Sequence, residues 1–306
     1  MKTPKSSDPN KPLLSDIQND EYWTSKVGFY MLWLEYLVIS PSYELARRYN
    51  AGKLTADDEA KLPADFDQVL AVYEDFGDIQ RELFLPWWRE KGRSLCAFKG
   101  AKPRVSKLAE LKYSNERLPN PSPRINNYIE DKWIEQGGQN TILVAIPVGI
   151  PKSQVAKQVG AILGKYSKRV KTLEHPEPKY SLAGKRHNSN ILMRYINVVV
   201  TRAARPNAAL WRIGAATKIS ATYSHRFKYN SKIVGNDLLY SRNSLSILTS
   251  RAFQRGLSIS ENAARGIFPS HAACEHAVEP DLSELSERFR SRRQWKKDNK
   301  VDGVQK

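Results

Sequence analysis

The sequence predicts a mainly α protein of two helical modules, the second carrying a tight helical pair and a minor β element. Three observations predict it. Apolar residues recur at three- and four-residue spacing along most of the chain, and one stretch, Thr141 to Val148, reads as a strand. Charge divides the 306 residues: residues 21–90 hold 7 Lys/Arg against 13 Asp/Glu, while residues 91–306 carry a net +23. Between these regions Pro103, Pro119, Pro121 and Pro123 break the helical pattern.

Residues 1–20 are polar and read as a flexible tail. Trp23, Val27, Tyr30, Leu34 and Leu37 open an acidic, aromatic-rich helical module over 21–98. Ser40 and Pro41 restart a helix there as cap and first residue, and Gly52 stops it. Thr55 begins a turn in the connector that follows. Phe66, Val69, Leu70 and Tyr73 make the next helix, ended by Gly77. Asp78 caps a further helix, interrupted at Pro86. Aromatic residues at such spacing are core material, and the acidic balance points to a protein partner for this module rather than nucleic acid.

Residues 99–138 form a linker with one short helix around Tyr128–Ile134. A basic α(+β) domain spans 139–269. It holds the strand, a helix opened by Pro151 with Val155, Val159, Ile162, Leu163 and Tyr166 on one face, and a helix over 188–204. A long helix or helix pair then runs from Leu245 to Gly266, bearing Arg251 and Arg255. Residues 270–306 end the chain as a basic tail with a helix from Asp281 to Lys300.

Within the basic domain, residues 207–229 read as two short helices with a turn at Lys218–Ile219. Asn207 caps the first, Ser220 caps the second, and Thr222, His225 and Arg226 lie on the second's polar surface. The run Ile213-Gly-x-x-Thr-Lys-Ile-Ser220, followed by Ser224-His225-Arg226, resembles the helix-turn-helix of bacterial transcriptional regulators. It departs from that pattern at Gly214, Thr217, Lys218 and Ser224. Lys218 replaces the turn glycine, a position where a Cβ is strained. The resemblance implies DNA binding, with the second helix in the major groove.

The net charge of +17 and pI near 9.7 point to a polyanionic partner. The expected function is a DNA-binding regulator or accessory protein, DNA being favoured over RNA. Its DNA-binding set is Lys218, Ser220, Thr222, His225, Arg226, Lys228, Arg251 and Arg255, with Arg290, Arg292, Arg293, Lys296 and Lys297 of the terminal run as phosphate binders. An RNA-binding component and a helical scaffold are the alternatives, and a homodimer is compatible with each. No apolar run is long enough to cross a bilayer, and no secretory pattern is seen, so a cytoplasmic protein is expected, nucleoid-associated in a bacterium. No enzyme activity, cofactor or metal is expected. Gly160-x-x-x-Gly164-Lys165-Tyr166 is one residue short of a phosphate loop and lies within a helix. His271, Cys274 and His276 lack a fourth zinc ligand.

Overall fold

Helix starts in this chain are set by side chains that satisfy the first free N–H groups. Ser40 Oγ accepts from Tyr43 N with Pro41 next in line, Thr55 and Asp58 form a reciprocal capping box, and Asn188 Oδ1 accepts from Ile191 N. In the computed structural model, which describes residues 22–100, 102, 105–111, 120–134, 140–166, 177–184, 186–231 and 238–300, these caps open real helices. The longer helices are α1 (Val27–Ile39), α2 (Pro41–Asn50), α3 (Phe66–Phe76), α4 (Lys152–Tyr166), α5 (Ser189–Ala204), α6 (Leu210–Ala216), α7 (Leu239–Ala264) and α8 (Leu282–Lys300). The fold is mainly α. Among the described residues the sheet is a single antiparallel pair, β1 (Tyr22–Trp23) with β2 (Phe98–Lys99).

The described residues of 25–96 and 180–300 form one compact unit, and those of 22–24 and 97–179 form another. The acidic helices therefore share a unit with the C-terminal half of the basic region, where the sequence pattern had set them apart. The reason is an aromatic core drawn from both. Trp33, fully buried on α1, stacks on Phe268 at 5.1 Å and lies 5.6 Å from Phe76. Its indole N–H donates to the carbonyl of Ala263, and the Tyr36 hydroxyl donates to that of Leu192. Trp87 and Trp88 close the other side of the core, Trp87 donating to the Phe76 carbonyl.

Charge joins the same segments. Arg265 makes a two-pronged pair with Asp65, Glu35 takes Arg292 and Lys296, and Glu44, paired within α2 to Arg47 and Arg48, lies 3.9 Å from Arg288. Part of the acid excess of 21–98 is thus met by cations of the chain's own C-terminal region. Burial opposes charge on Glu35 and Glu44, yet their arginine and lysine partners hold both carboxyls below the usual range, and the Arg265 hydrogen bonds do the same for Asp65. A carboxyl lowered in the folded state stabilises it in full above its unfolded value. That contribution fades as pH falls through the lower folded value. Melting temperature is therefore expected to drop once pH falls below about 4. Asp65→Asn should flatten that acid limb in a series of thermal melts at fixed ionic strength.

In the other unit, Thr141 to Val148 does not form the expected strand. No strand is assigned there, and Leu143, Val144, Ile146 and Val148 are exposed. No partner strand forms beside it among the described residues, and Pro147 lacks an N–H to give one. The minor β element lies elsewhere, in β1 and β2. Helix α4 forms as expected but buries none of its residues. Among the described residues, no helix is long and apolar enough to cross a membrane.

Candidate nucleic-acid interface

Between residues 180 and 260 the sequence holds thirteen Lys/Arg and one acid, Asp237, which lies outside the described residues. Helices α5, α6 and α7 pack on one another here around two small clusters, one of Trp211, Ala215, Phe227 and Leu245, the other of Val198, Ile213 and Ala252. Gly214 sets the closeness of α6 and α7. A Cβ there would lie 2.9 Å from Leu245 Cγ and inside the contact distance of Thr249 Oγ1. Thr249 cannot give way easily, being fully buried and hydrogen-bonded to the Leu245 carbonyl at 2.7 Å. An alanine at this position would overpack the site. Gly214→Ala is expected to lose about 1–3 kcal/mol in denaturant unfolding.

The turn falls where the sequence places it. Lys218 adopts φ 51°, the only positive value at a non-glycine residue among those described, and Ser220 Oγ accepts from Tyr223 N. The second helix does not follow. Residues Ser224–Arg226 make a three-residue 3₁₀ turn, and the chain is irregular before and after it. Side chains explain the stop: Ser224 Oγ donates to the Gly214 carbonyl and accepts from Ser220 N, and Ser231 Oγ accepts from Lys228 N. Such local bonds compete with helix propagation. The first helix also starts later than expected, at Leu210 rather than after Asn207.

The expected DNA-binding residues separate into three groups. Lys218, Thr222, Lys228, Arg251, Arg293 and Lys297 are exposed, with no side-chain hydrogen bond or ion pair among the described residues. Ser220, His225, Arg226, Arg255 and Arg290 have hydrogen-bond partners. Ser220 caps the turn, His225 Nδ1 lies 3.1 Å from the Ala221 carbonyl, and Arg226 donates to Ser241 Oγ at 2.9 Å. Arg255 donates to the Tyr195 hydroxyl at 3.1 Å, and Arg290 to Ser286 Oγ at 3.3 Å. Arg292 and Lys296 are engaged with the acidic helices: Arg292 is 5% exposed, donating to the Ile79 carbonyl and to Glu35, and Lys296, its side chain 31% exposed, pairs with Glu35 at 2.7 Å. Both side chains meet Glu35 of α1, where α8 packs against that helix.

The fold also assembles cations that sequence spacing does not join. The Arg205 guanidinium lies over the Tyr229 ring at 4.1 Å. Arg212 lies over the Trp211 ring at 4.7 Å and donates to the Tyr229 carbonyl. The return of the chain after the 3₁₀ turn brings Tyr229 back to α6, and no local motif announces that. Stacked arginines keep N–H groups for an anion while losing little freedom on binding. None of the described Lys/Arg from Arg186 to Arg255 makes an ion pair. Among the described residues, no group of three His, Cys, Asp or Glu is placed to hold a metal ion.

The chain matches no family model, no curated protein and no solved structure.

Proposed function

We propose that this protein binds nucleic acid as an accessory or regulatory protein, duplex DNA favoured over RNA, by gripping phosphates through α5, α6, α7 and the turns between them. The observation that carries this reading is the contrast in charge pairing. Cations from Arg265 to Lys296 include several that meet carboxylates of the acidic helices, whereas the described ones from Arg186 to Arg255 meet none. Unpaired cations at this density attract a polyanion and release its counterions on binding. With a 3₁₀ turn where a recognition helix would lie, we assign this surface to phosphate contacts, and sequence preference is expected to be weak.

One observation favours a second reading, a single-stranded ligand. Tyr240 is 72% exposed with Tyr223 edge-on at 6.3 Å, and such rings can stack on unpaired bases. Competition of duplex DNA against single-stranded RNA and DNA in gel-shift assays across a salt series separates the two. Tighter duplex binding with a steep salt slope supports the first, preference for single strands the second, and no salt-dependent binding to any of them overturns both.

A further inference from the structure

A cavity of about 340 Å³ opens between α2, the turn Ile79–Arg81 and α8. Arg47, Arg48, Arg81, Arg288, Arg292 and Trp295 line it, together with Glu44, Glu284 and Glu287. Five arginines and three glutamates form the lining, and Asp58 and Glu35 behind it take Arg48 and Arg292. The internal pairs leave donors over. Arg47 is spent on Glu44 in two-pronged fashion, and Arg48 on Glu44, Asp58 and Glu284. Arg292 uses both terminal nitrogens, on the Ile79 carbonyl and Glu35, and Arg288 gives one to the Ser40 carbonyl at 3.3 Å. The Nε–H groups of Arg288 and Arg292 are buried without a hydrogen-bond acceptor, on side chains 10% and 5% exposed, although Arg288 Nε lies 3.8 Å from a Glu284 carboxylate oxygen. Arg81 stands exposed at the cavity with no ion pair among the described residues.

A buried N–H without an acceptor is costly, and a guanidinium facing a cavity favours an oxyanion over a neutral ligand. Burial holds the Arg288 pKa below the usual arginine value, with Glu44 and Glu284 acting in the opposite direction. Several arginines converging from α2, a turn and α8 suit a tetrahedral oxyanion with acceptors on several sides, more than a single carboxylate with two. Trp295, half-buried on α8, offers a flat wall beside them.

We propose that this cavity is a binding site for a small phosphate-bearing ligand, held by Arg81, Arg288 and Arg292, with any attached planar ring lying against Trp295. It is distinct from the nucleic-acid surface in residues and position along the chain, and does not rest on it. Free polyphosphate and a nucleotide share the phosphate chemistry, and the test distinguishes them. Isothermal titration of the full chain with inorganic pyrophosphate, and separately with adenosine diphosphate, is carried out at constant ionic strength set with chloride. Pyrophosphate is expected to bind with a Kd below about 1 mM. Arg81→Gln should weaken it about 10-fold, and Ser291→Glu, which puts a carboxylate on an exposed lining position, should abolish it. Trp295→Leu should weaken adenosine diphosphate alone if the ring uses the wall, and unchanged affinity for both ligands would place only the phosphate here. Circular dichroism and melting temperature of Arg81→Gln and Ser291→Glu are expected to match the parent, since both positions are exposed. No heat with either ligand, binding that survives Ser291→Glu unchanged, or binding lost on Lys218→Ala/Lys228→Ala/Arg251→Ala instead, would overturn the proposal.

Discussion

Arg265→Ala is expected to lose about 3–5 kcal/mol of folding stability in urea unfolding. Arg265 closes α7 with its side chain 5% exposed, and it holds three parts of the chain at once. Nε and Nη2 meet both carboxylate oxygens of Asp65 at 2.6 and 2.9 Å, Nη1 meets Glu261 at 3.0 Å, and Nη2 also meets the His276 carbonyl at 2.7 Å. Glu261, 2% exposed, accepts from the hydroxyls of Ser40 and Ser42 at 2.5 Å each and from Val278 N. Removing the guanidinium leaves that carboxylate buried with only neutral donors, and the uncompensated charge accounts for most of the loss. The double variant Glu261→Gln/Arg265→Ala removes both charges and keeps an acceptor for the serines. It should recover part of the deficit, giving a coupling of about 0.5–3 kcal/mol in the cycle. A double variant as unstable as the sum of its singles would show that the pair acts only through packing.

Caps and stops were legible because they depend on residues within one turn of each other. Ser40 with Pro41, Thr55, Gly77 and the long apolar spacing behind α7 all form as their local pattern implies. What was not legible depends on partners far away in sequence. Nothing near Trp33 names Phe268 as its stacking partner, and nothing near Glu35 names Arg292, so an acidic segment and a basic one looked like separate modules. Helical phase did carry a usable signal in the terminal run. Arg288, Arg292 and Lys296 recur every four residues beside Leu285, which is fully buried, and this spacing turns them to one face of α8, whereas Arg293 and Lys297 fall on the exposed side. Reading the run as one undivided stripe of phosphate binders lost that distinction. At Ser220 the expected cap forms and the expected helix behind it does not. Ser224 turned its hydroxyl to the Gly214 carbonyl across the turn, a contact available only once α6 is in place.

Replacing Lys218, Lys228 and Arg251 together with alanine is expected to weaken duplex DNA binding on the order of 10²-fold near 0.1 M salt. All three are exposed, and none has a side-chain partner among the described residues, so their loss should leave the fold intact. The sharper readout is the salt dependence. Each phosphate contact adds about 0.9 to the slope of log affinity against log salt on a duplex and about 0.7 on a single strand. Three lost contacts should therefore flatten the slope by about 2.7 on duplex DNA and about 2 on single strands. Arg226→Ala is a useful contrast, since Arg226 is engaged with Ser241 Oγ and its loss should cost at most one contact. Arg293→Ala/Lys297→Ala tests whether the outer side of α8 belongs to the same surface: an added loss of slope includes it, and no change confines the interface to α5, α6, α7 and their turns. A triple variant with unaltered slope would remove the phosphate-gripping reading altogether. Density of unpaired positive charge would then have to serve a protein partner, and the slope measured against an acidic polypeptide in place of DNA would show it.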